Sequence, residues 1–429
     1  MVAAFRPQQV ACLDLDKSRN TMNLLYMQVF LYLFFTTMKN SIGFYNSGKS
    51  SSFREKTEGS NRQSFALELV PGNICELKCE CCYKQDGNSP KNNGAIPYQN
   101  ATDYIAQANQ EGFKEAVLIG GEPTLHPQIF DIIQKTRELG MTPILATNGI
   151  TLAKEDHAKK LEGQNVVLVT HAYFPGGEEI IDHFSGKNGY AKTLKKAISN
   201  IRSIPDIKLV LEMPLTDTLF PHAFTFFRYC REQNITPFIE ISRSSDQGSQ
   251  TSSITPEAIA ELFRQCQEYD QQYFPDLVDE KITPPSYGNK CTMSITGLHV
   301  KNLGNGDFGG VYSCCAQKIR HGDLRKQPLR QILQNPTLTI FADQDKYIVG
   351  PCRDCQQYNI CKGGCRGEAY LKFGCPRASS PACHLIPPEI RHDPKIMAPK
   401  SCNDCPAENC PDCNLGKNSN HHQLPLLNK

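Results

Sequence analysis

Residues 65–84 read FALELVPGNICELKCECCYK, and the order of events in this stretch sets the architecture. The apolar run from Phe65 to Val70 stops at Pro71-Gly72, as a strand ending in a turn does. Cys75, Cys79 and Cys82 then follow in the spacing C-x3-C-x2-C, on a loop. Three thiolates from one loop can hold three irons of a four-iron cubane and leave the fourth open to an external molecule, as catalytic metal sites keep one position free. Taken alone, the same spacing also suits a zinc knuckle.

Working outward, short apolar runs alternate with amphipathic segments up to Ile241, the pattern of strand–helix units feeding a parallel sheet. The expected strands are Phe65 to Val70, Ala116 to Ile119, Ile144 to Thr147, Val166 to Thr170, Lys208 to Glu212 and Thr236 to Ile241. Between them, Pro127 and Gly140 bracket a helix with Ile129, Phe130, Ile132, Ile133 and Leu139 as its apolar stripe; Leu194, Ile198 and Ile201 mark another. A helix opening at Thr255-Pro256 and running to about Tyr269 leads into a Pro-containing connector, Pro275 to Tyr287.

Strand two runs into VLIGGEPTLHP, where Gly120 and Gly121 let backbone approach a ligand closely and the Glu122 carboxylate can accept from an amino group. Strand three ends in ATNG, with Thr147 and Asn148 as polar groups at its carboxyl end. Ligands of parallel sheets bind at carboxyl ends of strands, so the three motifs can share one pocket. In spacing and order they resemble the radical S-adenosylmethionine superfamily. That resemblance implies an α/β fold, a partial (β/α)6 TIM-like barrel, and a [4Fe-4S] cluster on Cys75, Cys79 and Cys82 that binds S-adenosylmethionine. It implies that Gly120, Gly121 and Glu122 hold the cofactor's amino group and that Thr147 and Asn148 lie beside it. The family's aromatic residue before the third cysteine is replaced here by Cys81, with Tyr83 as the alternative aromatic contact. Its later Ser-x-Asp-Gly turn is replaced by VTHAYFPGG and HFSGKNGY. Glu212 and Arg243, at the ends of strands five and six, serve either as cofactor contacts or as salt-bridge residues.

From Cys291 to Cys413 the composition changes: 13 of the 20 cysteines fall here, with few long apolar runs, so ligands take over from a large core. Cys352, Cys355, Cys361 and Cys365 read C-x2-C-x5-C-x3-C, preceded by Cys291 and by FGGVYSC ending at Cys314, and followed by Cys375 and Cys383. This resembles the SPASM extension of radical enzymes, including Gly309 five before Cys314 and GGCRGE around Cys365. The resemblance implies two auxiliary iron–sulfur clusters. The nearer would use Cys291, Cys314 and Cys365, with Cys315, Cys375 or no residue as fourth ligand; the outer would use Cys352, Cys355, Cys361 and Cys383. A zinc ribbon is the structural alternative. Beyond the pattern, Cys402, Cys405, Cys410 and Cys413 form two C-x2-C pairs, which suit a further metal, zinc or iron–sulfur, or a disordered tail. Cys12, Cys230 and Cys266 read as packing residues.

Charge excludes more than it assigns: 46 basic against 44 acidic residues leave +2, so no basic face points to nucleic acid. Reduced, metal-binding cysteines suit a cytoplasmic setting. The apolar run Met22 to Phe35 is shorter than the ~20 residues a spanning helix needs, so no membrane association is expected; Met38 is an alternative start. The expected organisation is a flexible leader over 1–64, a barrel over 65–270, a connector over 271–290, an auxiliary-cluster domain over 291–390 and a cysteine-rich tail over 391–429. Function follows as an expectation: reductive cleavage of S-adenosylmethionine and hydrogen abstraction from a peptide or protein, giving a crosslink or an oxidised side chain. Such an oxidoreductase requires an electron donor such as flavodoxin or ferredoxin, and the first 64 residues suggest no leader-recognition domain, so a separate leader-binding protein fits. A heme or redox-cofactor precursor is the alternative substrate, and a nonenzymatic iron–sulfur or zinc protein the alternative from another class. No catalytic base is named by the sequence.

Overall fold

Strand–helix alternation becomes, in the computed structural model, six parallel strands with helices against one face. The structure describes residues 62–82, 94–241, 253–277, 286–287, 290–291, 296–315, 319–335, 338, 348–375 and 377–398. The elements are β1 (Ser64–Val70), α1 (Tyr98–Gln110), β2 (Glu115–Gly120), α2 (Ile129–Glu138), β3 (Thr142–Ala146), α3 (Glu155–Lys159), β4 (Val167–His171), α4 (Glu178–Ser185), α5 (Tyr190–Arg202), β5 (Lys208–Leu215), α6 (Ala223–Glu232), β6 (Thr236–Ile241) and α7 (Pro256–Tyr273). After the connector come β7 (Gly297–Lys301), β8 (Gly310–Tyr312), β9 (Gly322–Asp323), α8 (Leu329–Ile332), α9 (Tyr358–Cys361), α10 (Arg366–Phe373) and α11 (Pro394–Met397).

Among the described residues, nine strands lie in one sheet, ordered β6-β5-β4-β3-β2-β1-β7-β8-β9. The six expected strands are present, and they are the parallel staves of the partial barrel. Residues alternate between two layers, as the period of two demands. Leu67, Leu118, Leu145, Leu168 and Leu211 pack with helix residues such as Ile105, Ile132 and Leu194. Ala66, Val117, Ile144, Val167, Val169 and Val210 form a separate apolar layer on the inner face. Around the turn of α7, Thr255 caps the helix by accepting from the Ala258 N–H, and Pro256 fills its first turn.

β7 joins β1 in parallel, so the sheet continues across the connector. Glu68 pins that junction: its carboxylate, 0% exposed, meets His299 Nε2 at 2.7 Å and accepts from the Asn302 N–H at 2.8 Å. β8 and β9 then run antiparallel and extend the sheet outward. Among the described residues no helix is long and apolar enough to cross a membrane.

A buried ion pair locks α6 to α7. Arg231 donates Nε to Asp270 Oδ1 at 3.0 Å and Nη2 to Oδ2 at 2.8 Å, with both side chains almost fully enclosed. Removing one partner strands the other charge away from water. Arg231→Ala is therefore expected to destabilise the protein by about 3–5 kcal/mol in urea unfolding, whereas the double change Arg231→Met/Asp270→Leu restores most of the loss. Equal stability of Arg231→Ala and parent would refute the pair's role. Cys230 and Cys266 are buried in the same two helices and pack in the main core, as expected for small apolar side chains.

Candidate functional site

The cysteine loop is held by backbone from two sides. Ile74 N–H donates to Pro71 O at 3.0 Å, and Ile74 O accepts from the Glu122 N–H at 2.7 Å. Lys78 and Glu80 N–H groups donate to Ser185 and Phe184 carbonyls at the end of α4, at 3.0 and 2.9 Å. That helix end turns away at Gly186, whose φ of +65° suits glycine and where a Cβ would sit 2.9 Å from Lys78 O.

Cys75, Cys79 and Cys82 are half-buried on this loop. Burial pushes the Cys75 thiol up to about 11, with Glu122 and Glu76 adding to the rise while bonds from Leu77 and Asn148 oppose it. Cys79 is raised further, first by burial and then by the charges of Cys82 and Cys75. Among the described residues no three His, Cys, Asp or Glu side chains close on a point as a single bound ion would require. The three thiols thus feel one another's charge without forming a single-ion nest. Crowded thiols that resist ionisation are suited to a positively charged iron centre, which would reverse that balance. The donor set fits a cluster held by three thiolates.

The Cys81 thiol is raised first by burial, then by the charges of Cys79, Glu240, Glu212 and Cys82. Tyr83 and Arg243 lie outside the described residues, as do Cys12, Cys402, Cys405, Cys410 and Cys413.

The glycines at the end of β2 answer first to the cysteine loop. A Cβ on Gly121 would lie 2.3 Å from Ile74 O and 2.6 Å from Pro71 O, and one on Gly120 would lie 2.6 Å from Val70 O. Only glycine lets these two strand ends touch. Glu122, 1% exposed, follows at once. Its Oε1 accepts from Thr124 N–H (2.9 Å), Thr124 Oγ1 (2.6 Å) and Thr147 Oγ1 (2.7 Å), and its Oε2 from Asn148 N–H (2.7 Å). Burial raises its pKa, while those bonds from Thr124, Asn148 and Thr147 pull it back. A carboxylate offers about four acceptor positions, and donors of this chain supply four bonds. Three of these bonds end on Oε1 and one on Oε2, and together they make Glu122 a joint between β2 and β3.

Asn148 carries the joint onward. Its Nδ2 donates to Glu76 Oε2 at 2.9 Å and reaches Cys75 Sγ at 3.8 Å, so the end of β3 is tied to the cysteine loop. Tyr190 donates its hydroxyl to Asn148 O at 2.7 Å and lies 3.1 Å from His171 Nδ1. Burial drops the His171 pKa to about 4, keeping the imidazole neutral. Glu76, His171 and Tyr190 were not singled out from sequence; HFSGKNGY and VTHAYFPGG held the last two, but only the folded sheet makes them neighbours. Glu212 lies opposite His171 in the β4–β5 register, and burial and the nearby Glu240 on β6 raise its pKa well above the ordinary carboxylate range.

In the carboxy-terminal region Cys352, Cys361 and Cys383 act on one another. Burial raises Cys352, opposed by Ser379 and Arg366 and reinforced by Cys361; burial pushes Cys383 up to about 11, reinforced by Cys352 and Cys361. Cys355 follows in the same turn, its N–H donating to Cys352 O at 3.3 Å. Serines brace the backbone: Ser379 Oγ accepts from Cys352 N–H at 2.9 Å, and Ser286 Oγ accepts from Cys365 N–H at 3.2 Å. GGCRGE is a local clamp, with Gly363 and Gly364 at φ of +83° and +75° and Arg366 donating to Gly363, Gly364 and Ala378 carbonyls. Cys291 and Cys314 are buried and Cys315 is half-buried. Cys375 packs with Ala369, Ala378 and Ala398, and its strongest neighbour in charge is Arg377.

The family model described as the radical SAM superfamily matches residues 69–214, and the SPASM model, an iron-sulfur cluster-binding domain, matches residues 305–356. The chain is similar to an AdoMet-dependent heme synthase of Methanosarcina barkeri, 23% identical over 346 residues, covering 75% of this chain and 96% of the relative. It is similar to a PqqA peptide cyclase of Methylocella silvestris, 23% identical over 302 residues, 66% of this chain and 78% of the relative. Among solved structures, Streptococcus suis SuiB bound to S-adenosylmethionine shares the fold, with a TM-score of 0.59, 16% identity and coverage of 76% and 78%.

Proposed function

Because the chain belongs to the radical SAM enzymes and carries a SPASM iron–sulfur domain behind its barrel, we propose that it oxidises a side chain of a peptide or protein by hydrogen abstraction. When bound, the cluster and S-adenosylmethionine supply an electron, a cleaved sulfonium and a carbon radical able to take hydrogen. Cys75, Cys79 and Cys82 would hold that cluster. The Gly120–Glu122 and Thr147–Asn148 segments keep the loop seated at the strand ends, and the inner face of the barrel receives the substrate. Cys352, Cys355, Cys361 and Cys383 would hold one auxiliary cluster, and Cys291, Cys314 and Cys365 a second. Electrons would come from a small donor protein, and a peptide leader would be bound by a separate partner.

The observation that carries the peptide reading is the inner face itself. Glu212 and Glu240 sit there at neighbouring strand ends, and among the described residues no cation pairs with either. Carboxyl groups at that position can accept hydrogen bonds from the N–H groups of a peptide. A second reading, oxidation of porphyrin carboxyl side chains, is favoured by the likeness to the heme synthase over 96% of that protein. The two separate in one experiment. The reconstituted protein is given dithionite and S-adenosylmethionine under anaerobic conditions, with short peptides encoded beside its gene in one arm and iron porphyrins in the other. A peptide lighter by two hydrogens is the expected product; a porphyrin that loses carbon dioxide, with every peptide unchanged, rejects the first reading.

A further inference from the structure

Where the connector meets the carboxy-terminal cysteines, two stacked rings each carry an enclosed polar atom without a partner among the described residues. Tyr287 is 6% exposed, and its hydroxyl meets no hydrogen-bonding group. Its ring stacks on His384, the residue after Cys383, with centroids 5.6 Å apart and planes 11° from parallel. It also packs on Phe263 of α7 at 6.2 Å. The Nδ1 of His384 is the second such atom. Protein interiors leave few hydroxyls in this state, and one that persists marks a group, water or ion supplied from elsewhere.

The backbone is bent to put Tyr287 there. Ser286 before it has a φ of +85°, in the left-handed region that residues other than glycine seldom enter. Such strain persists where the surroundings over-determine it, and it collects at working sites. The Ser286 hydroxyl is fixed from both sides, accepting from the Cys365 N–H at 3.2 Å and donating to Ser380 Oγ at 3.1 Å. Ser380 Oγ in turn accepts from the Ala382 N–H at 3.3 Å, one residue before Cys383. A Cβ on Gly364 would lie 2.1 Å from Ser286 Oγ, so glycine there is what lets the connector pass. The connector is thus tied to the Cys365 loop by Ser286 and laid on the Cys383 loop by Tyr287.

We propose that the Tyr287 hydroxyl donates a hydrogen bond to a sulfur of the outer auxiliary cluster and so sets the potential at which that cluster takes an electron. The inference rests on the reading of Cys352, Cys355, Cys361 and Cys383 as ligands of one cluster. Cluster sulfurs gain negative charge on reduction, so a hydroxyl donating to them favours the reduced form and raises the potential. One electron enters, and the proton stays on the Tyr287 oxygen. Of the two unpartnered atoms, the phenol is the one that must donate; an imidazole nitrogen donates or accepts according to its tautomer. Burial, then the charges of Glu368 and Cys383, push the phenol pKa up, so the proton is retained. Charged neighbours have other partners: Glu368 accepts from Ser380 Oγ at 3.4 Å, and Arg391 pairs with Glu257. A raised potential suits a cluster that accepts the electron given up by an oxidised substrate.

Redox titration of the full-length, iron–sulfur-reconstituted protein, followed by electron paramagnetic resonance, tests this without substrate. The outer cluster is recognised as the signal lost in Cys383→Ala. Tyr287→Phe keeps the ring on His384 and Phe263 and removes one oxygen, so iron content and Tm should match the parent. Its outer-cluster midpoint is expected to fall by about 59 mV, a tenfold change in the one-electron equilibrium. In the parent, that signal should also show a coupled proton that exchanges in deuterated water and is missing from Tyr287→Phe. A midpoint unmoved in Tyr287→Phe, or a parent without that proton, overturns the assignment. Should Tyr287→Phe lose iron, the exchangeable proton of the parent decides. If Cys383→Ala keeps every cluster signal, the outer-cluster reading itself falls, and the proposal with it.

Discussion

Alanine at Cys79 is expected to abolish 5′-deoxyadenosine formation from S-adenosylmethionine and dithionite, a loss on the order of 10³-fold or more, and Cys75→Ala and Cys82→Ala should match it. The three thiols share one loop and one electrostatic neighbourhood, so under the proposed assignment each would be indispensable to the same cluster. Residues that act as a unit lose nearly everything when any one is removed, and the three effects will not add. Cys81→Ala provides the contrast. It lies outside the C-x3-C-x2-C spacing, so the variant should keep the iron and sulfide that the other three lose. Iron analysis alongside chromatography of 5′-deoxyadenosine reads both. A Cys79→Ala protein that still cleaves the cofactor, or a loop that takes up zinc in preference to iron, would end the cluster assignment.

Glu122→Ala is expected to lower stability by about 3–5 kcal/mol, a fall of roughly 10 °C in Tm. The carboxylate gathers the Thr124, Thr147 and Asn148 donors in a place water does not reach, and truncation leaves those donors unsatisfied. Because Asn148 also bonds Glu76 and approaches Cys75, the loosened joint should lower iron retention as well. Glu122→Gln keeps the shape but exchanges one acceptor oxygen for an amide that must face a donor, so an intermediate loss is expected. Calorimetry of the three proteins decides the matter: an alanine variant as stable as the parent would show that the donors are satisfied without Glu122.

Local chemistry made several features legible. Each of the six barrel strands is a short apolar run closed by turn residues or by the start of a helix, and each was found where the pattern put it, because strand period and breaker residues act over a few positions. Thr255-Pro256 announced its helix for the same reason. The glycines of GGEP were recognised as a close approach, but the neighbour they approach is the Ile74 and Pro71 backbone, which lies beside them only through strand pairing. That Glu122 also gathers Thr147 and Asn148 was not legible locally, because these two donors come from the end of the next strand, whereas Thr124 lies two residues on.

What the sequence determined by itself was the type and order of the parts: cysteine spacing, glycine positions and the alternation of strand and helix, all properties of neighbouring residues. Tertiary structure alone decided that β7 closes onto β1 through Glu68, that Glu122 bridges two strands, and that Glu212 and Glu240 share one face of adjacent strands. Parallel strands pair only after a crossover of many residues, so the side chains that share a strand end are far apart in the chain, and no local pattern records which of them will touch.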